Sequence, residues 1–318
     1  MKIAFIFPGQ GAQYVGMGKE LYNYYPIIRK IFDNTDQILN EKFVELIFNG
    51  TNDNIKRTEN TQPGILMVST AISELLKTEG IIPAMTAGLS LGEYSALVAA
   101  KSISYDEALH LVRKRGQLMN MAVPAGKGMM AAVLGLDKEI LLSCCQKASE
   151  YGTVTIANYN CPGQLVLSGE VTAMNKACQL AKEAGARRVV PLQVSGPFHS
   201  PLLESAGNAL AAELVNAVIH EPEIPVVSNV TARPVHTSED IRKMLAQQVT
   251  HSVRWEDSMR YMLSQGVDTF IEVGPGKTLS GFMKKIDIHA TVYNVEDLNS
   301  LYITLESITK ELEAGLWT

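Results

Sequence analysis

The sequence predicts an α/β protein with a ferredoxin-like subdomain inserted into a larger domain. Helical patterns alternate with short β-branched runs over most of the 318 residues, which is typical of α/β proteins. Over residues 127–194 the order becomes strand, helix, strand, strand, helix, strand, which is a split βαβ pattern. These four strands can form a sheet of their own, so we expect residues 126–195 to be the subdomain. Residues 1–125 and 196–318 would then form the larger α/β domain.

Eight segments have the length and apolar content of strands. They are residues 3–7, 85–89, 130–134, 153–158, 165–169, 187–193, 225–228 and 269–273. A helix is predicted over residues 105–122, where Ser104 and Glu107 have the spacing of a capping box. The stretch from Asp297 onward has the pattern of a closing amphipathic helix.

Composition and charge exclude several classes of protein. The net charge of -5 gives no support for binding to nucleic acid or to a membrane surface. No apolar run approaches the ~20 residues of a membrane span. Residues 1–7 run directly into Pro8 and Gly9, which favours a first strand over a signal peptide. The four cysteines lack zinc-ligand spacing, so we expect reduced thiols in the cytoplasm.

The most informative segment is the pentapeptide Gly-Leu-Ser-Leu-Gly at residues 88–92. A predicted strand precedes it and a predicted helix follows it, which is the context of a nucleophile elbow with Ser90 at its tip. Backbone N–H groups at the start of that helix would favour a developing oxyanion. The alternative is a glycine-rich turn in which the serine only caps the helix.

A serine nucleophile needs a base, and His199 is the best placed of the six histidines. It follows the predicted strand 187–193 through a short turn. It directly precedes Ser200 and Pro201, which suit the N-cap and the first position of a helix. This junction puts His199 at the edge of the sheet where ligands bind.

Arg115 falls in the middle of the apolar stripe of the predicted helix 105–122. Burying an arginine on a core face is costly unless its guanidinium meets an anion. A structural salt bridge and a substrate carboxylate account for this position equally well.

The loop at residues 7–13 follows the first strand and begins like a dinucleotide fingerprint. Tyr14 stands where the third glycine would be, so we reject a dinucleotide site. The loop still offers exposed backbone N–H groups beside a strand end. The junction at residues 273–277 is better explained as a structural turn.

Four motifs together resemble the malonyl-CoA:acyl carrier protein transacylases. They are FPGQGAQ at 7–13, GLSLGEY at 88–94, GPFHS at 196–200 and EVGPG at 272–276, in the family's order over residues 2–285. The resemblance implies an α/β-hydrolase-like core with a ferredoxin-like insertion. It also implies transfer of a malonyl group from malonyl-CoA to the phosphopantetheine thiol of acyl carrier protein, with no metal and no bound cofactor.

The family's roles carry over to matching positions. The resemblance implies that Ser90 is the nucleophile and His199 its base. The backbone N–H groups of Gln10 and Leu91 would form the oxyanion hole. Arg115 would bind the free carboxylate of the malonyl group, which decides between the two explanations of its burial.

Two further roles follow from the resemblance. The family orients its histidine by a backbone carbonyl rather than an aspartate, and the matching position is Gln248. Phe198 is similar to the residue of the malonyl-selective pattern in related polyketide acyltransferases. Many relatives have histidine where this chain has Leu89, a change that leaves the elbow intact but removes a polar group beside the serine.

Two other functions compete with the transacylase. An acyl-thioester hydrolase could use the same Ser-His pair, and a noncatalytic docking subunit could bind the carrier without chemistry. We expect malonyl-CoA and acyl carrier protein as partners, neither nucleic acid nor membrane, and a monomer. An acidic carrier would need a basic patch, for which the candidates are Lys182, Arg187, Arg188, Lys284 and Lys285. The default explanation of these residues is solvated surface charge.

Overall fold

Two β-sheets with helices packed against them organise the chain. The structure, a computed structural model, describes the backbone of residues 1–315 and the side chains of residues 1–311. The strands are β1 (Ile3–Phe7), β2 (Met85–Gly88), β3 (Gly128–Leu134), β4 (Val154–Cys161), β5 (Gln164–Glu170), β6 (Arg188–Pro191), β7 (Val226–Val227), β8 (Pro234–Val235), β9 (Thr269–Val273) and β10 (Thr291–Val295). The helices are α1 (Lys19–Tyr24), α2 (Pro26–Leu39), α3 (Phe43–Asn49), α4 (Asn52–Lys56), α5 (Thr58–Thr78), α6 (Gly92–Ala99), α7 (Tyr105–Met121), α8 (Lys138–Ala148), α9 (Val171–Glu183), α10 (Glu204–Asn216), α11 (Ser238–Gln248), α12 (Trp255–Ser264), α13 (Thr278–Ile286) and α14 (Leu298–Gly315).

The larger sheet has six strands in the order β10-β9-β1-β2-β7-β8. The first five are parallel and β8 pairs antiparallel with β7. Phe7 at the end of β1 lies opposite Gly88 at the end of β2, and Ile6 lies opposite Glu272 of β9. The loops that follow these strands therefore meet at one edge, which is where open parallel sheets bind ligands.

Strand β1 is buried on both faces of the sheet. Phe5 and Phe7 belong to the core cluster on one side, and Ala4 and Ile6 belong to the cluster on the other. Successive side chains of a strand point to opposite faces, so a central parallel strand needs an unbroken apolar run. This requirement explains the sequence Ile-Ala-Phe-Ile-Phe at the start of the chain.

The smaller sheet is antiparallel, with the order β4-β5-β3-β6. Helices α8 and α9 pack against it and share a separate core cluster with its strands. The element order from β3 to β6 is the predicted split βαβ pattern, which confirms the ferredoxin-like unit. Strand β4 also touches the larger domain, because Val253 donates a backbone hydrogen bond to Ala157 and accepts one from Tyr159. The boundaries at residues 126 and 195 stay a prediction.

The observed elements differ from the predicted ones mainly at the sheet edges. Strands β1 and β9 have the predicted bounds, whereas β6 and β7 are shorter than predicted. Strands β8 and β10 were not predicted: β8 has only two residues, and β10 is an edge strand of mostly half-buried side chains. Helix α7 ends one residue early, and its Ser104 Oγ accepts a hydrogen bond from the Glu107 N–H at 3.2 Å. Helix α14 matches the expected closing helix.

The described residues also bear on two compositional predictions. All four cysteines are free thiols; Cys144 on α8 is buried and Cys178 on α9 is half-buried. No helix within residues 1–315 combines the length and the apolar character that crossing a membrane requires.

The close approach of β1 to the turn after β2 can be tested with glycine variants. A Cβ at Gly92 would overlap the backbone oxygen of Phe7, whereas a Cβ at Gly281 in α13 would meet open space. We expect Gly92→Ala to lower the free energy of unfolding by about 1–3 kcal/mol because of overpacking. Gly281→Ala should leave it unchanged or raise it by up to about 1 kcal/mol through helix propensity. Urea unfolding measures both, and equal stability of the two variants would contradict this packing.

Candidate active site

The turn between β2 and α6 holds Ser90 in an unusual backbone conformation. Its φ is 53°, in the left-handed region that a serine occupies only when its surroundings hold it there. A Cβ at Gly9 would overlap the backbone oxygen of Leu89, so the loop after β1 lies directly against this turn. The two loops thereby bring the Gln10 backbone to the same edge of the sheet as the serine.

Ser90, His199 and Gln248 form a continuous hydrogen-bonded chain. Ser90 Oγ lies 2.8 Å from His199 Nε2, and His199 Nδ1 lies 2.7 Å from the backbone oxygen of Gln248. A carbonyl oxygen only accepts, so Nδ1 carries the ring proton and Nε2 presents its lone pair. The Ser90 hydroxyl therefore donates to Nε2, which is the arrangement in which an imidazole can take a proton from the hydroxyl.

His199 is held in its neutral form by its surroundings. The side chain is 4% exposed, and burial together with the nearby Arg115 charge lowers the pKa of His199 to about 4. Its φ is 56°, so it also has a left-handed backbone. A neutral imidazole at neutral pH is the form that can act as a base.

Arg115 lies at the centre of the site and has only neutral partners. Its Nη2 donates to Ser90 Oγ at 3.0 Å and to Gln248 Oε1 at 2.8 Å, and its Nη1 donates to Gln62 Oε1 at 2.8 Å. The residue is 1% exposed, and burial lowers its pKa. No carboxylate within the described side chains forms an ion pair with it. The guanidinium is therefore a buried cation whose charge has no direct counterion in the described chain.

Glu93 is the buried carboxylate behind this arginine. Its Oε2 accepts hydrogen bonds from Gln248 Nε2 at 2.7 Å and from the Asn229 backbone N–H at 3.1 Å. Burial raises the pKa of Glu93 to about 7. A proton on Oε1 leaves Oε2 able to accept both bonds, so these contacts persist in either protonation state. Gln248 Nε2 also donates to the backbone oxygen of Ser90 at 2.9 Å, which joins the carboxylate to the turn.

The Asn229 side chain contacts the backbone that leads into Ser90. Its Oδ1 accepts from the Ser90 N–H at 2.6 Å, and its Nδ2 donates to the Gly88 oxygen at 2.7 Å. Sequence reasoning missed this residue, and also Gln62. A signal for Asn229 was available, because it directly follows the predicted strand 225–228 at the ligand-binding edge of the sheet. Gln62 had no comparable signal, since it lies inside the long buried helix α5.

Two backbone N–H groups near Ser90 are free to bind an oxyanion. Because Asn229 accepts from the Ser90 N–H, the next donor along the chain is that of Leu91. Within the described chain, neither the Leu91 nor the Gln10 N–H donates to any acceptor. These are the two groups that the family resemblance implies for an oxyanion hole.

A cavity of about 220 Å³ lies beside Ser90. Ser90, His199, Arg115 and Gln10 line it, and Phe198 contributes to its apolar wall. The ferredoxin-like unit supplies further lining residues, which include Met130, Asn158, Asn160 and Val166. The structure thus brings all seven predicted site residues to one place, either on the cavity wall or in direct contact with it.

The chain is similar to one family of known proteins over nearly its whole length. The family model of the acyl transferase domain matches residues 4–293. The chain belongs to the acyl transferase family. This confirms the resemblance stated above.

Individual members of the family match the chain end to end. The malonyl CoA-acyl carrier protein transacylase of Bacillus subtilis (strain 168) is 46% identical to this acyl transferase over 311 residues, 98% of each chain. The crystal structure of the malonyl CoA-acyl carrier protein transacylase from Clostridium perfringens is 42% identical, with a TM-score of 0.96 over 100% of each chain. A malonyl-transacylase in complex with its holo type II PKS acyl-carrier protein is 37% identical, with a TM-score of 0.94 over 96% of this chain and 100% of that chain. The predicted fold class is confirmed by these likenesses.

The neutral state of His199 predicts how the reactivity of Ser90 depends on pH. Its pKa of about 4 lies well below the ordinary 6.5, so the base keeps its lone pair in weakly acidic solution. We expect a neutral fluorophosphonate to label Ser90 at a rate constant within about twofold from about pH 8 to about pH 5. A base of ordinary pKa would lose roughly tenfold per pH unit below that pKa. The rate constant is measured from labelling reactions stopped at a series of times. The variant His199→Ala should not be labelled. A fall of about fivefold between about pH 6.5 and pH 5.5, which a base with a pKa of 6.5 would give, would contradict the assignment.

Proposed function

We propose that this acyl transferase moves a malonyl group from malonyl-CoA to the phosphopantetheine thiol of an acyl carrier protein. The observation that carries the proposal is the buried Arg115 guanidinium, which lies 3.0 Å from the Ser90 hydroxyl and has neutral partners only. A cation in that position suits an acyl group that ends in a carboxylate. The names of the relatives agree with this substrate.

In the first half-reaction Ser90 takes the acyl group. Its Oγ forms a bond to the thioester carbonyl carbon while its proton passes to His199 Nε2. The oxyanion that develops accepts hydrogen bonds from the Gln10 and Leu91 N–H groups. When the carbon–sulfur bond breaks, the coenzyme A sulfur receives the proton from His199, and malonyl-Ser90 remains.

In the second half-reaction the carrier takes the acyl group from the serine. The phosphopantetheine thiol gives its proton to His199 Nε2, and its sulfur attacks the ester carbonyl of malonyl-Ser90. The carbon–oxygen bond to Ser90 breaks, and the proton returns from His199 to Ser90 Oγ. The Gln248 carbonyl accepts from Nδ1 throughout, which keeps Nε2 facing the reacting atoms and stabilises the imidazolium that forms transiently.

Substrate selection is proposed to rest on two side chains. Arg115 pairs its guanidinium with the malonyl carboxylate, and the other partners of the guanidinium keep it in place. Phe198 forms part of the cavity wall beside His199 and limits the size of a substituent next to the carboxylate. A smaller residue at this position would admit a methylmalonyl group.

The carrier is proposed to dock between the two domains, residues 126–195 on one side and residues 1–125 and 196–318 on the other. Both contribute to the cavity wall. The basic candidates for contact with the carrier are all exposed, and they are Lys182, Arg187, Arg188, Lys284 and Lys285. We propose a monomer that works in the cytoplasm, since one chain supplies every group of the site and the thiols are free.

The proposed function is tested by intact mass spectrometry. The protein is mixed briefly with malonyl-CoA, beside a Ser90→Ala control, and holo acyl carrier protein is then added. We expect a malonyl adduct that requires Ser90 and moves to the carrier. An adduct that decays equally fast without the carrier would indicate an acyl-thioester hydrolase and overturn the proposal, and so would the absence of any adduct.

The role of Arg115 is tested by comparing two acyl groups. We expect Arg115→Ala to cost about 2–5 kcal/mol in kcat/KM for malonyl transfer, because the malonyl carboxylate is left buried without its partner. Acetyl transfer should lose less or improve. Arg115→Lys keeps the charge but loses the planar fork, so its kcat/KM for malonyl transfer should lie between those of the wild type and Arg115→Ala. Equal losses for malonyl and acetyl transfer in Arg115→Ala would rule out the carboxylate contact.

A further inference from the structure

The left-handed conformation of Ser90 requires something to hold it. A non-glycine residue at φ 53° is strained and persists only where its surroundings fix the backbone. The two consecutive peptide groups that lead into Ser90, on either side of Leu89, both make hydrogen bonds to one side chain, that of Asn229, which is 139 residues from Ser90 in the sequence. No other described side chain bonds to both Gly88 and Ser90.

We infer that Asn229 is a positioning residue for the nucleophile. Its amide holds Ser90 in the reactive conformation and occupies the Ser90 N–H, so that the oxyanion is bound by the Leu91 N–H instead. The inference rests on the proposed function only in taking Ser90 as the nucleophile. Asn229 touches neither the substrate nor the hydroxyl, and it acts through the backbone.

The geometry requires an amide at position 229. Oδ1 must accept from the Ser90 N–H, and Nδ2 must donate to the Gly88 oxygen. Both bonds are short, at 2.6 and 2.7 Å, and the residue is fully buried, so water does not replace either one. A side chain that supplies only an acceptor leaves the Gly88 oxygen facing a second oxygen.

Asn229 is itself fixed from both sides of its backbone. Its N–H donates to Glu93 Oε2 at 3.1 Å, and its carbonyl oxygen accepts from the Arg254 N–H at 2.9 Å. Glu93 lies three residues after Ser90 in α6, so the carboxylate ties the asparagine back to the helix that follows the nucleophile. The two contacts close a ring of hydrogen bonds around the turn.

The test is the rate of Ser90 modification in Asn229→Ala and Asn229→Asp. We expect single-turnover malonylation to slow by at least about 100-fold in Asn229→Ala, because the reacting oxygen is no longer held in place. The Kd for malonyl-CoA should change by less than about threefold, since Arg115 and the cavity wall are intact. Acetylation should slow by the same factor, in contrast to the effect of Arg115→Ala.

The matched control is Asn60→Ala. Asn60 is a buried asparagine in α5 whose Nδ2 donates to the Asn54 oxygen at 2.9 Å and whose Oδ1 accepts from Arg113 at 2.7 Å. Its loss should lower stability without slowing malonylation per folded molecule. If Asn229→Ala behaves like Asn60→Ala, Asn229 is only structural and the inference fails.

The aspartate variant gives a signature that a merely structural role would not produce. The introduced carboxyl group, when ionised, can accept from Ser90 but cannot donate to Gly88. When protonated it can do both, and its burial favours the protonated form. We therefore expect fluorophosphonate labelling of Asn229→Asp to be slow at about pH 8 and to recover at least about tenfold by about pH 5.5, while the wild type stays flat. A rate in Asn229→Asp that stays slow from about pH 8 down to about pH 5.5 would overturn the inference.

The labelling arm separates this inference from the proposed function. Fluorophosphonate modification needs Ser90 and His199 but no malonyl group and no carrier. If the wild type is labelled normally but forms no malonyl adduct, the proposed substrate is wrong. The labelling rates of the Asn229 variants still test the role of Asn229 in that case.

Discussion

The buried charge of Arg115 is the interaction on which the rest of the site depends. A guanidinium that is 1% exposed has lost most of its hydration, and in this chain its described partners are the neutral oxygens of Gln62, Gln248 and Ser90. Burying an unpaired charge is costly, and under the proposed function the malonyl carboxylate would reduce that cost. The proposed function thus assigns the buried charge to the recognition of an anionic acyl group.

The same charge links recognition to the nucleophile and the base. Arg115 helps to lower the pKa of His199, and it donates a hydrogen bond to the Ser90 hydroxyl. Gln248 contributes twice: its backbone oxygen fixes the tautomer of His199, and its side chain holds Arg115 and the Ser90 carbonyl. Ser90 and His199 both have left-handed backbones, so the surroundings of each residue must hold it in place. Chemistry and substrate selection therefore share one network of hydrogen bonds.

Much of this arrangement could be predicted from sequence because it depends on local patterns. The strand-turn-helix around Ser90, the junction at His199 and the arginine within an apolar helix stripe are each visible within about ten residues. Asn229 and Gln62 could not be predicted in the same way, since their roles arise from contacts between distant segments. Strand β10 was missed for a related reason: an edge strand is half-buried and lacks the apolar run of a central strand.

The role of Arg115 is tested most directly by the affinities of malonyl-CoA and acetyl-CoA for Ser90→Ala, a variant that cannot be acylated at that position. Isothermal titration should show malonyl-CoA binding at least about thirtyfold more tightly than acetyl-CoA, the equivalent of about 2 kcal/mol. In the double variant Ser90→Ala/Arg115→Ala the two affinities should become equal. Equal affinities for malonyl-CoA and acetyl-CoA in Ser90→Ala would contradict this role, because they would mean that the buried guanidinium does not bind the malonyl carboxylate.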